Sequence, residues 1–241
     1  MDNGEIIQRT PKLERHLCVN ITNYPLPFSF ISADEKSIED IFRRINSYGR
    51  QLSNQEIRQA GAIGLFPELV RKVACTIRGD VSPHDQLKLN EMKLICLSNK
   101  RLDYGIVMED VYWVKQHIIT IQNMRVSRDE ELIAWILSYM IMGEQISPTS
   151  YTLNKLYKYT VSDNDNLSTR IEAQIEYLGS DTIHQWFSSI HSLIIEILNH
   201  AKKDFRTLVF SDEYSEGLVR IYQVIFLAFF ELTIKENMYV S

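Results

Sequence analysis

The stretch Ser37–Gly61 reads SIEDIFRRINSYGRQLSNQEIRQAG, and its spacing sets the character of the chain. Ile38, Ile41, Phe42 and Ile45 recur at i, i+3, i+4 and i+7, which lines one face of an α-helix. Ser37 is placed to accept a backbone N–H at the start, and Asp40 sits in the first turn, where the helix dipole favours an anion. The helix is expected to stop near Asn46–Gly49, because glycine takes the left-handed turn without a Cβ penalty. A second helix follows at once. Ser53 and Glu56 have capping-box spacing, in which each side chain serves the other's backbone donor.

Working outward toward the C-terminus, the helical period persists. Phe66, Leu69, Val70 and Val73 predict a third helix starting at Pro67, and Gly79-Asp80 with Ser82-Pro83 breaks it. Residues 84–104 show no clear period, and Met92–Leu97 reads as a short strand or buried turn. Val111, Val114 and Ile118 predict one helix. A second capping box, Ser127 and Glu130, opens another that carries Leu132, Ile133, Ile136, Leu137 and Met140. Leu153, Leu156 and Tyr157 mark a shorter helix, and Leu167, Ile171, Ile175 and Leu178 the next. Ile183, Phe187, Ile190, Ile194 and Ile197 form a long stripe, and a last helix is expected after Ser211. About nine helices are predicted in this way, with ends uncertain by about 2–4 residues.

Toward the N-terminus the pattern differs. Residues 1–14 are polar. Tyr24–Ile31, YPLPFSFI, holds two prolines and alternates Leu26, Phe28 and Phe30 with Pro27 and Ser29. That predicts an edge strand with one buried side. One or two strands form no stable sheet alone, so they lie on the helices or complete a sheet supplied from elsewhere.

The composition fits a globular protein: 241 residues, 45% hydrophobic and 24% charged, with a formal charge of −5 that favours neither nucleic acid nor membrane. Cys18, Cys75 and Cys96 are widely spaced and form no zinc pattern, so reduced thiols in the cytoplasm are expected, and no metal site is. The most apolar stretch, within Leu218–Ile234, is interrupted by Arg220 and Glu231. It reads as a buried terminal helix, not a membrane span.

The segment at 37–61 resembles the helix–turn–helix signature of the GmrSD restriction-endonuclease N-terminal family, an amphipathic helix ending in F-x-R-[IL]-N, a glycine turn, then L-S-x-x-E. The matching positions are Phe42, Arg44, Ile45, Asn46, Gly49, Leu52, Ser53 and Glu56. Asn23–Pro27, Ile77–Asp80, Asp103–Ile106 and Arg125–Leu132 also look like segments of that family, so the resemblance spans roughly residues 12–160. It implies a ParB/sulfiredoxin-like domain, a small mixed sheet followed by helices. The expected fold is therefore mainly α with an α+β remnant: a polar tail at 1–14, a partial ParB-like domain at 15–104, and a helical domain at 105–241 packed on it. The family's nucleotide chemistry is associated with a D-G-Q-Q-R motif, and many relatives carry an H-N-H nuclease domain. Neither motif is present in this sequence. The expectation is thus a truncated gene, a split-gene partner or a decayed remnant, without a catalytic site of its own.

Arg43, Arg44, Asn46 and Arg50 cluster at the helix end and turn, and between residues 43 and 78 seven basic residues face two acids. Arginine forks suit phosphate, so these four are the candidate nucleotide or phosphate contacts. The competing reading is internal salt bridges and caps, with Phe42, Gly49, Ser53 and Glu56 as the structural signature. Glu130 and Glu131 beside Arg125 and Arg128 are weighed as an acid/base pair against the capping box. Tyr112, Trp113 and Trp135 are weighed as a stacking platform against core packing. No cofactor is expected in the chain alone; a nucleotide bound jointly with a partner is the alternative left open. The expected partner is another protein or a second copy through the 24–31 strand. DNA contact ranks lower because of the acidic total.

Overall fold

The computed structural model describes residues 14–26, 30, 32, 37, 41, 52–88, 90–98, 104–143, 146, 149–159, 166–210 and 217–235. Two compact units divide between Tyr48 and Gly49. In the first unit, helix α1 spans Arg15–Thr22 and buries no side chain. The Thr22 hydroxyl closes back on the Cys18 carbonyl at 2.8 Å. The strand expected at 24–31 is not shown: Tyr24–Leu26 and Phe30 are irregular, and Leu26 and Phe30 are 64% and 98% exposed. Pro27, Phe28, Ser29 and Ile31 lie outside the described residues. So does most of the helix expected from Ser37, of which Ser37 and Ile41 are described and helical.

The second unit holds α2 (Asn54–Gly61), α3 (Leu65–Arg78), α4 (Tyr112–Lys115), α5 (Ile121–Met124), α6 (Arg128–Met142) and α7 (Ser150–Leu156). After these come α8 (Leu167–Leu178), α9 (Ser180–Ala201), α10 (Phe205–Val209) and α11 (Leu218–Phe230), the last running into a π turn at Glu231–Lys235. The protein is mainly helical, and among the described residues there is no β-strand; the one isolated bridge is parallel, between Leu97 and Ile106. Gly105 makes that bridge feasible. Its φ is +107°, and a Cβ there would lie 2.8 Å from the Ser98 nitrogen. Met92–Ile95, read as strand or turn, is a 3-10 turn leading into the bridge.

Helix α6 is the axis of this unit. Leu132, Ile133, Ala134, Ile136, Leu137, Met140 and Ile141 are buried, covering most of its circumference, as in a helix enclosed by others. Helices α2, α3, α5, α8, α9 and α11 pack against it. Each surrounding helix contributes one stripe: Phe66, Leu69, Val70 and Val73 from α3; Leu167, Ile171 and Ile175 from α8; Leu218, Tyr222, Phe226 and Phe230 from α11. The α9 stripe runs as expected from Ile183 to Ile194 and closes on Leu198 in place of Ile197. A fully buried side chain of this size contributes about 1.5–3 kcal/mol. The terminal helix is amphipathic, with Val224 67% exposed.

Two sequence expectations are corrected here. The helix expected to carry Val111, Val114 and Ile118 is only the short turn Tyr112–Lys115, and Val111 and Ile118 lie outside it. The backbone turns at His117, whose φ is 58°, and the Ile118 and Ile119 amides both donate to the Trp113 carbonyl. The capping box at Ser127 is also absent. Ser127 takes a left-handed conformation without a side-chain cap, and the Glu130 carboxylate is drawn to Arg78.

Candidate functional site

The second half of the signature forms as its residues predict. The Ser53 amide donates to Glu56 Oε2 at 2.7 Å and the Glu56 amide to Ser53 Oγ at 3.2 Å, a complete capping box. The Ser53 hydroxyl proton goes to the Val126 carbonyl at 2.8 Å, fixing the start of α2 to the turn before α6. One turn on, Gln55 and Arg58 are buried at 1% and 2% exposure. Gln55 Nε2 donates to the Tyr157 hydroxyl at 2.9 Å. Arg58 Nε donates to Asn154 Oδ1 at 2.7 Å, its Nη1 to Gln55 Oε1 at 3.2 Å, and its Nη2 to the Ser150 hydroxyl and carbonyl. Every one of these acceptors is neutral, so burial lowers the Arg58 pKa. Neutral acceptors replace water around the guanidinium here, which ties α2 to α7.

Other cations of the basic stretch also meet internal partners. Arg78, at the C-terminus of α3, forms a two-point fork with Asp129, Nε to Oδ2 and Nη2 to Oδ1, both at 2.7 Å. Its Nη2 also lies 3.0 Å from Glu130 Oε1. Burial lowers the Arg78 pKa but the Asp129 and Glu130 carboxylates outweigh it, so the net shift is upward. Burial raises the Glu130 pKa, against the pull of Arg78, and Glu130 Oε2 is buried without a partner. Lys72 pairs with Asp181 at 2.6 Å, and Arg71 reaches the Gln59 carbonyl at 3.4 Å. Glu131 pairs with Arg128 at 2.6 Å, which leaves no acid/base pair between Glu130 and Glu131. Arg43, Arg44, Asn46, Arg50, Phe42 and Gly49 lie outside the described residues.

A cleft of about 520 Å³ opens between α3, α4 and α9. Thr76 lines it from α3, Asp110 and Lys115 from the α4 region, and His184, Ser188 and His191 from α9. The Thr76 hydroxyl donates to the Lys72 carbonyl at 2.9 Å, and its oxygen lies 3.1 Å from His184 Nε2. Burial and the nearby Lys72 charge lower the His184 pKa. His191 Nδ1 lies 3.4 Å from the hydroxyl of Tyr222, which is fully buried. Burial pulls the His191 pKa down to about 4, so the ring is neutral near neutral pH. Tyr112 stacks edge-on against His191, ring centres 4.3 Å apart. Trp113 is fully buried in the same aromatic cluster and Trp135 is half-buried against the core, as the core reading expected.

Family models, curated proteins and solved structures give no match to this chain. Among the described residues no three histidine, cysteine or carboxylate side chains gather as a metal site, and no helix is long and apolar enough to cross a membrane. Within the cleft, Thr76 is the hydroxyl beside an imidazole, and its proton is donated to the Lys72 carbonyl and not to His184. The cleft was not anticipated from sequence, yet a signal existed. His184, Ser188 and His191 recur at i, i+4 and i+7, one polar helical face beside the apolar stripe.

Proposed function

We propose that this chain is a non-catalytic or partner-dependent module similar to the nucleotide-responsive domain of GmrSD-type restriction and phage-defence proteins. In this reading a partner supplies the nucleotide pocket, and the turn before α2 lies at its back. Arg43, Arg44, Asn46 and Arg50 neutralise phosphate charge there. The single observation that carries the reading is the wiring of α2. Ser53, Gln55 and Arg58 put their polar groups into Val126, Tyr157, Asn154 and Ser150, so a displacement of the signature is felt by the body around α6 and α7. The test is nucleoside triphosphate hydrolysis, with the chain mixed with a protein carrying D-G-Q-Q-R. The expected result is a gain over that protein alone, and equal rates would contradict the reading.

A second reading, a helical interaction or homodimerising protein, is favoured by the exposure of Leu26 and Phe30. Light scattering tests it: a dimer supports it, and a compact monomer counts against it. Nucleic-acid backbone binding ranks behind both, since Arg58, Lys72 and Arg78 already have partners within the fold.

A further inference from the structure

We propose that the cleft between α3, α4 and α9 is a binding site for a free α-amino acid with an apolar side chain, its ammonium met by Asp110, its carboxylate by Lys115, and its side chain laid on Ile77 and Ile195. The inference does not rest on the partner-dependent reading above.

The charges decide the head of the ligand. Asp110 and Lys115 both line the cleft and flank one short helix, Asp110 two residues before the start of α4 and Lys115 at its last position. Both are exposed, and among the described residues neither side chain has an ion pair or a hydrogen bond. Other charges of this body are spent on one another: Lys72 pairs with Asp181 between α3 and α9, Arg78 with Asp129 and Glu130, and Arg128 with Glu131. The two charges of the cleft are opposite in sign, so a simple anion or cation meets one partner and one repelling group. A molecule that carries both signs a few ångströms apart satisfies both, and α-amino acids are the simplest class of that kind. Neither side chain is tied elsewhere, so each is free to turn toward a ligand, the lysine on a flexible four-carbon stem. The end of α4 is itself held in place, because Gln116 Oε1 accepts from the Phe205 amide at 2.8 Å and ties it to α10.

The apolar lining decides the side chain. Ile77 of α3 and Ile195 of α9 line the cleft and are only partly buried, so apolar surface is left for a ligand to cover. Phe187 and Leu198 complete that lining. The cleft volume, about 520 Å³, lies within the range of small-molecule pockets, about 300–1,000 Å³.

The probe is L-leucine, titrated into the full chain labelled with nitrogen-15. Saturable shifts are expected at the backbone amides of Ile77, Lys115 and Ile195. Isopentylamine is leucine without the carboxylate, and 4-methylpentanoate is leucine without the ammonium. Each is expected to bind roughly five-fold more weakly, the worth of one exposed charge pair. Two variants separate the contacts. Lys115→Gln removes the preference for leucine over isopentylamine and keeps that over 4-methylpentanoate, and Asp110→Asn does the reverse, with circular dichroism confirming that both are folded. The comparison of the three compounds on the wild type needs no variant. Equal affinity for all three, absence of saturable binding, or preferences that survive both substitutions would each overturn the proposal.

Discussion

Arg78 carries the densest charge pairing in the described core. It lies in the last turn of α3, and Asp129 and Glu130 lie in the first turn of α6, so each charge also faces the favourable end of its own helix dipole. Two buried carboxylates share one guanidinium, with Arg71 contributing at longer range. Arg78→Ala leaves both carboxylates buried and unpaired, and we expect a loss of about 3–5 kcal/mol in urea unfolding. Glu130 gives a pH signature. Its folded pKa is raised above the unfolded value of about 4.3. The unfolded chain therefore loses that proton first, and stability falls as pH rises from there through the folded value. Glu130→Gln is expected to remove this slope, so that the variant gains on the wild type as pH rises from acid to neutral. Urea midpoints across that window measure it. A steeper decline in the variant would be the wrong sign. None of this was legible locally. Ser127 and Glu130 have the spacing of a cap, and the partner that overrides it comes from α3.

The helix starts show what such local motifs carry. At Ser53 the motif holds: the Glu56 carboxylate takes the Ser53 amide and the serine proton finds Val126. At α3 the cap comes from another element. Glu172 of α8 accepts from the Leu65 amide at 2.9 Å and the Phe66 amide at 3.3 Å. Pro67 was expected to open this helix and instead sits at its third residue, where its missing N–H is still harmless. Gly64 makes room for the cap. Its φ is +156°, and a Cβ would sit 2.6 Å from Glu172 Oε1. Gly64→Ala should cost about 1–3 kcal/mol in thermal or chemical unfolding, by displacing the carboxylate and straining the backbone. Glu172→Ala should cost about 1–2 kcal/mol as a lost cap. The two should couple, with the double variant less destabilised than the sum, since removing Glu172 removes the clash. Strict additivity would show that the carboxylate does not occupy this place. Periodicity marked α8 and α9 because each has one buried stripe. It failed over 111–118, where the left-handed His117 turns the chain between two short helices.

For the whole molecule, the legible part is the predominance of helix and the identity of the buried stripes. The α6 run of Leu132, Ile133, Ile136 and Leu137 was visible as a helix, but its place at the centre depends on how many stripes converge on it. The wiring of Arg58 was equally hidden. In sequence it belongs to a basic stretch suited to phosphate, whereas in the fold it is enclosed by Ser150, Asn154 and Gln55. That enclosure is what makes α2 part of the body. Hydrogen exchange by the Arg58→Met variant tests it most directly. The account predicts faster exchange both in α2 and in Ser150–Leu156 of α7, with the far end of α9 unchanged. Faster exchange confined to α2, with α7 still protected as in the wild type, would contradict it.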